Sequence, residues 1–521
     1  MWKGSTGAPD SAGIGGKADT LRLPTLARAA AVLFLVPASL HAQNTGSPRQ
    51  NGANSSAASA AGSGASAVTQ GQTNLYNATG TNGATVTQDS FNRSLVAGKS
   101  TGLTFDLSLD DAMQRGLKQN LGVILQGAAM QNANGQRLEQ LQALLPTITG
   151  AASITVEQVN LAAFGLKFNG IKPIVGPFQV VDARAYLSQN LVNITALQSY
   201  IASKHAFASS KLTAEDARDL VVLTVGNAYL LCIADQARID AVNAEMKTSK
   251  VTLDQATAAH DAGVSPRLDV LRAQVDFQKE QQNLIASTNQ LAKDKLSLAR
   301  VIGLPLDQPF RLTDANPFKP LDNLDPDATY VVALRDRKDL QAAAEQVKAA
   351  QSVRKAAIAD QYPVASFSGD FGDLGTTFGH SHGTYTATGQ ISAPILQIAR
   401  IRGERQVAEA TLAQAQAKLS DVAQQVNADV RNAILDIQSA AKLVAATKSN
   451  VDLATEALSE SQQRFKAGVS DNLPVSQAQT QVEQADDQYI SALYQHNVAK
   501  LALARAVGAA EGHYKEYLGG K

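Results

Sequence analysis

The sequence predicts an internally duplicated α+β membrane protein in which each half contributes two β-strands and a pair of long helices. Three observations lead there. The phrase "AGVSPRLDVLRAQ" beginning at Ala262 returns as "AGVSDNLPVSQAQ" beginning at Ala467, and residues 262–303 align with 467–508 without a gap, 16 of 42 positions being identical. A repeat of that length is a duplicated half, not a motif. In each half a proline (Pro146, Pro363) is followed by stretches of period two, and each such pair of stretches leads into about 70 residues of unbroken helical pattern.

Taken in order, the amino terminus reads as a secretory signal over 1–42. Lys17, Arg22 and Arg28 precede the apolar run at 29–36, and small residues lead to an expected cleavage after Ala42, with Ala38 as the alternative. The run is too short to span a bilayer, and no later stretch of consecutive apolar residues is long enough to predict a transmembrane helix. Residues 43–102 are rich in Ser, Ala, Gly and Asn, and are expected to be a disordered linker, since they offer little apolar surface to offset ordering entropy. No cysteine lies near the mature start, so no lipid anchor is expected there. The first structural repeat is placed at 103–312, a connector at 313–335, the second repeat at 336–512 and a tail at 513–521.

The first repeat should open on a helix capped by Ser108, with Asp110 and Asp111 in its first turn. After Pro146, Ile148, Gly150, Ala152, Ile154 and Val156 share one strand face, while Thr147, Thr149, Ser153, Thr155 and Glu157 share the other. The next run sets Val181, Ala183, Ala185, Leu187 and Leu191 against Asp182, Arg184, Tyr186 and Ser188. In the second repeat Phe367, Gly369 and Phe371 oppose Ser366, Ser368 and Asp370, and Tyr385, Ala387 and Ile391 oppose Thr384, Thr386 and Gln390. Apolar-out, polar-in alternation at this length is how strands of a membrane barrel read. The long helices follow at about 194–262 and 396–467. In the second, Val422, Val426, Val430, Ala433, Ile437, Ala440 and Val444 form a stripe of mean spacing near 3.7 residues, the period of a nearly straight helix with close neighbours. Gly263 and Gly468 are expected to end the long helices in a left-handed turn, and Ser265 and Ser470 to cap the helices that run back.

Four strands cannot close a barrel, and open edges in lipid cost several kcal/mol per unpaired backbone group. Closure therefore calls for several copies: two would give 8 strands, three would give 12. The polar residues Glu157, Asp182, Arg184 and Asp370 are the candidate lumen lining.

Here the sequence resembles a known family, the TolC-like outer-membrane efflux proteins (outer membrane factors), over about 103–512. The resemblance rests on the two "AGV" tips, the paired helix ends "LARVIG" and "LARAVG", and "SAPILQIARIRGERQVAEA" leading from strand into helix. It implies a homotrimer in the cell outer membrane with a 12-stranded β-barrel, continued into the periplasm by an α-helical barrel of coiled-coil hairpins. It implies partners as well: outer-membrane lipid, a periplasmic adaptor (membrane fusion) protein docking at Gly263, Val264, Ser265, Gly468, Val469 and Ser470, and an inner-membrane RND pump or ABC transporter that supplies the energy. The family's aspartates six and nine places after the second tip glycine map onto Pro474 and Gln477, so that ring is not carried over. Asp471 is the nearest carboxylate, Asp269 holds the matching place after the first tip, and the latch aromatic and arginine map to Phe465 and Ser470. The candidate entrance gate is thus Arg267, Asp269, Phe465 and Asp471.

The remaining chemistry is sparse. Lys plus Arg and Asp plus Glu number 46 each, so no basic excess points to nucleic acid. The single cysteine, Cys232, lies in an apolar stretch and reads as a packed small hydrophobe. His380 and His382 supply too few ligands for a closed metal site, and no hydrolase or phosphate-binding motif occurs. The reading is a channel, not an enzyme, with no cofactor, and export of small toxic compounds is the leading function. The alternatives are the outer-membrane component of a type I protein secretion system and, in another class, a secreted soluble coiled-coil scaffold without a pore.

Overall fold

A computed structural model describes residues 87–166, 169–314, 318–321 and 324–518, all within the unit Thr73–Lys521. The expected signal peptide and the linker up to residue 86 lie outside the described residues. The elements in chain order are β1 (Phe105–Leu107), α1 (Leu109–Gln119), α2 (Leu121–Gln142), β2 (Thr147–Asn160), β3 (Ile174–Val192), α3 (Ile194–Asp261) and α4 (Arg267–Ile302). The series then repeats as β4 (Phe310–Leu312), α5 (Pro326–Asp336), α6 (Lys338–Ala359), β5 (Val364–Gly375), β6 (Ser381–Ser392), α7 (Ile398–Lys466) and α8 (Leu473–Val507), with α9 (Ala510–Leu518) last.

The duplication goes further than the aligned 42 residues. α1 and α5 are both 11 residues long, α2 and α6 both 22, and α3 and α7 have 68 and 69. The second series therefore opens before its expected start at 336, with β4 at the end of the stretch assigned to the first repeat and α5 inside the expected connector. β4 pairs in parallel with β1, stitching the starts of the two halves together. The linker expectation is also corrected at its end. Phe91 is buried in the core, the Leu95 amide donates to the Gln119 carbonyl, and the Ala97 amide donates to that of Gly303. One aromatic side chain, these two backbone bonds and a third from the Leu121 amide to the Arg93 carbonyl hold a stretch whose composition is otherwise that of a coil.

The helices that open each half come in two segments. At Asn120 the backbone turns extended, and its side chain accepts from the Gly122 amide while donating to the Phe91 carbonyl. An asparagine that offers the backbone an alternative partner favours such a break. Arg337 makes the same break between α5 and α6. It is almost fully buried, and its guanidinium reaches Asp339 at 3.0 Å and Asp429 at 2.7 Å.

Two apolar cores follow the two repeats. One gathers Leu107, Met113, Val221, Val225, Tyr229, Leu298 and Ile302, with Cys232 beside them, its thiol pushed by burial up to about 12. The other gathers Leu340, Val426, Val430, Ile434, Ile437 and Val507. The expected stripe on α7 faces inward throughout: Val426, Val430, Ala433 and Ile437 belong to that second core with Val422 packed against it, Ala440 is buried beyond them, and Val444 packs in a small separate cluster with Ala492 and Leu493. α8 serves both, giving Leu501 to the first core and Leu503 to the second. α3 contains a window apolar enough to cross a membrane, yet more than half of it is buried inside the protein, so it is spent on this core.

The strands form one antiparallel sheet in the order β2-β3-β5-β6. Its register pairs Thr149 with Tyr186, Tyr186 with Asp370, and Asp370 with Thr386, so the polar sets of all four strands fall on one face. The apolar sets fall on the other, where Ile148, Ile154, Phe371, Tyr385 and Ile391 are between 58% and 78% exposed. Leu191 is an exception to the expected alternation, because a bulge between Asn190 and Val192 leaves it without a cross-strand partner.

At the far end each long helix stops in the same six-residue cap. The Gly263 amide donates to His260 and that of Val264 to Ala259; the Gly468 amide donates to Phe465 and that of Val469 to Arg464. This is the paired bonding of a Schellman turn, and it needs positive φ at the glycine, here 73° and 72°. Nothing lies near a Cβ built at either position, so the demand is conformational and not steric. Gly263→Ala is expected to lower the stability of the hairpin by about 1 kcal/mol. Gly127→Ala, at a helical glycine that also has open space around it, should raise stability by about 0.5–1 kcal/mol. Urea-unfolding midpoints of the two variants should move in opposite directions.

Candidate functional site

Two places collect the residues singled out from sequence: the tips of the helical hairpins and the polar face of the sheet. At the tips Val264 and Val469 are 77% and 70% exposed beside their turn glycines, two apolar side chains held out into solvent. The serines do not act as the expected caps. α4 starts from Pro266 and α8 from Asn472, the Ser265 hydroxyl is enclosed without a partner, and the Ser470 hydroxyl donates to the Asp471 carbonyl. Proline at one helix start and a wholly buried asparagine at the other set the backbone direction without a side-chain cap.

Arg267 is the exposed first residue of α4, and Phe465 lies half-buried in the last turn of α7. Asp269 and Asp471 are brought together, by a residue the sequence reading passed over. Arg272, one turn beyond Asp269 on α4, has its Nη1 at 3.8 Å from Asp269 Oδ1 and 3.8 Å from Asp471 Oδ2. Asp269 is buried and Asp471 largely exposed. One guanidinium thus links the second repeat's tip to the first repeat's returning helix, shared between two carboxylates. The spacing of Asp269 and Arg272 was readable as a helical i,i+3 pair; the arrival of Asp471 was not.

Above the tips, α3, α4 and α8 meet along a seam of carboxylates that also escaped sequence reading. Lys279 Nζ sits 2.5 Å from Glu483, and the Asn283 amide donates to both Glu483, at 2.9 Å, and Glu280, at 3.2 Å. Glu245 faces this group with one oxygen enclosed and unpartnered. Burial, reinforced by the nearby charges of Glu280, Glu483 and Asp486, pushes the Glu245 carboxyl up to about 8. Farther along, burial and a hydrogen bond with Asp294 push Asp235 up to about 7.

On the sheet, Asp182 and Arg184 lie two apart on β3, and Arg184 reaches across to β5. Its Nε donates to Asp182 Oδ1 at 2.7 Å and its Nη1 to Asp370 Oδ2 at 3.2 Å. Glu157 shares their face, since it pairs with Phe178, four residues and so two pleats before Asp182. The four residues chosen from alternation alone therefore stand on one surface, three of them in contact. His380 closes the turn between β5 and β6, bonded to the Thr377 hydroxyl at 3.1 Å, and His382 belongs to β6.

The model of a protein family described as outer membrane efflux protein matches residues 112–304 and 329–509. The toluene efflux pump outer membrane protein TtgC of Pseudomonas putida is 24% identical over 332 residues, 62% of this chain and 65% of its own length. The pyoverdine export outer membrane protein OpmQ of the same species is 24% identical over 304 residues, 58% of this chain and 64% of its own. The chain thus spans a little under two thirds of the curated relatives it matches. Among solved structures the outer membrane protein VceC of Vibrio cholerae superposes with a TM-score of 0.67 at 18% identity, covering 77% of this chain and 96% of that one. At that identity the likeness speaks for the fold.

The raised Glu245 carboxyl has a direct consequence. Below about pH 4.5 folded and unfolded chains both hold the proton and the group costs nothing. As pH rises towards 8 the unfolded chain ionises while the folded chain must keep the proton or bury a charge, so stability falls across that window. Glu245→Gln should therefore stabilise the protein by about 1 kcal/mol at pH 8, discounted for partial exposure. The gain should vanish near pH 4 when thermal melts are compared across the range.

Proposed function

We propose, since this chain belongs to the outer membrane efflux protein family, that three copies of it form the outer-membrane exit duct of a tripartite efflux system. The observation that carries the reading is the sheet: four strands with one apolar and one polar face, and with β2 and β6 left at open edges. In a bilayer those edges have to be paired. Joining β6 of one copy to β2 of the next, three times, closes a 12-stranded barrel whose apolar face meets lipid and whose polar face lines water. The Asp182–Arg184–Asp370 group then recurs three times around the lumen, with Glu157 on the same wall.

The long helices, each about 100 Å at 1.5 Å per residue, continue the duct into the periplasm. Their tips, with Val264 and Val469 projecting beside Gly263 and Gly468, are the surface offered to a periplasmic adaptor, and an inner-membrane pump behind it supplies the energy. Arg272 is assigned the entrance latch: its bonds to Asp269 and Asp471 hold the two hairpins of one copy together. Neighbouring copies bring the same groups towards the axis. The cargo class is small organic compounds, in keeping with relatives named for toluene efflux and pyoverdine export. A scaffold without a pore would leave Ile148, Phe371, Tyr385 and Ile391 uncovered in water, an arrangement soluble proteins avoid.

Light scattering of membrane-extracted protein, with the detergent mass subtracted, should give three times the mature chain; a monomer would leave the sheet unclosed and end the duct reading. Arg272→Ser should raise single-channel conductance in planar bilayers by opening the link between the hairpins, and Asp471→Asn should do so to a smaller extent because Asp269 still holds the guanidinium. Unchanged conductance in both would remove Arg272 from the gate.

A further inference from the structure

The junction of β6 with α7 has an arrangement that neither the lumen nor the tips require. Ile395, Leu396 and Ile398 are 87%, 88% and 59% exposed. Tyr362, just before β5, and Leu191 and Val192, at the end of β3, are also exposed at that level of the sheet, where Val364 pairs with Ser392 and Val192 with Ala365. Together they extend the apolar character of the sheet past its last hydrogen bonds. Between α6 and α7 at this level lies a groove of about 340 Å³, walled by Ile358, Pro394, Ile398 and Ile401 and lined also by Arg402 and Arg405.

The charges around it do not balance. Arg400 is held by Asp360 at 2.6 Å and Glu404 at 2.8 Å, while Arg354 and Arg405 share Glu409 at 3.2 and 3.0 Å. Four guanidiniums thus stand against three carboxylates, and of these four only Arg402 has no ion partner among the described residues. A planar guanidinium beside an apolar groove, at the edge of a lipid-facing surface, matches a phosphodiester attached to acyl chains. Long basic side chains at that depth reach towards the headgroup layer.

We propose that the α6–α7 groove binds the phosphate-bearing headgroup of a membrane phospholipid, with Arg402 holding the phosphodiester and Ile395, Leu396 and Ile398 lying against the acyl chains. The inference rests on the membrane-embedded reading of the sheet. It does not involve the lumen or the tips.

Native mass spectrometry of the full chain, extracted in mild detergent and titrated with phosphatidylglycerol, counts lipids per complex. The native protein and Arg402→Lys should retain phosphatidylglycerol, whereas Arg402→Gln should hold about five-fold less, the factor expected for one basic side chain at an anionic surface. Dioctanoylglycerol, which lacks the phosphate, should not be retained. Equal lipid counts in the native protein and Arg402→Gln would overturn the site, as would equal retention of dioctanoylglycerol. Displacement of the lipid by inorganic phosphate alone would assign the groove to a free anion instead. Cross-linking of a cysteine at position 402 to a second copy, with no lipid bound, would assign it to the interface between chains. The same spectra report the number of chains: three without arginine-dependent lipid would sink this inference alone, while a single chain would remove the membrane reading beneath it.

Discussion

The open edges of the four-stranded sheet are the constraint on which the rest of the molecule depends. A strand of 14 residues at one edge and of 12 at the other present rows of backbone donors and acceptors with no strand partner among the described residues. Water can satisfy such groups; hydrocarbon cannot. On the proposed reading the apolar face meets lipid, closure comes from other copies, and symmetry then places the helices. Each pair of strands leads directly into a long helix, so in the proposed assembly the geometry that closes the barrel would also arrange the helices around the same axis.

The duplication provides the regularity such an assembly needs, and the departures from it are where the two halves take on separate work. Helix lengths and the glycine turns repeat almost residue for residue. The groups around the turns do not: Asp269 of the first repeat corresponds to Pro474 of the second, and Arg272 to Gln477. A symmetric pair of tips would place like groups opposite one another. The asymmetry instead lets a guanidinium from one repeat meet a carboxylate from the other, and one cross-link can then hold or release two hairpins. Similarly, α8 packs into both cores, which ties the end of the second repeat to the first.

Electrostatics divides the chain into places where charge is satisfied and places where it is kept under tension. Arg337 is buried but answered by Asp339 and Asp429, and there the pairing fixes the break between α5 and α6. Along the α3–α4–α8 seam the carboxylates outnumber the cations, and Glu245 holds its proton near neutrality in place of finding a partner. At the opposite end, the surplus positive charge of Arg402 sits where a bilayer surface would meet it.

The sequence by itself determined the duplicated plan, the two long helices, the turn glycines, the inward stripe of α7 and the assignment of Glu157, Asp182, Arg184 and Asp370 to a single face. Each depends on short-range facts: a period of two or of 3.6 sorts side chains by burial, and a positive φ excludes most residues other than glycine. The tertiary structure alone decided that β1 pairs with β4, that Phe91 pins the segment before the first repeat, that Asn120 and Arg337 mark the breaks between α1 and α2 and between α5 and α6, and that Arg272 lies between Asp269 and Asp471. Those features join residues from about 30 to more than 200 positions apart, and no local period encodes which distant side chain will complete a charge or a backbone bond. The serine caps failed for the same reason: a serine at the right spacing is a competent cap, but the path of the returning helix, started by Pro266 and Asn472, directed those hydroxyls elsewhere.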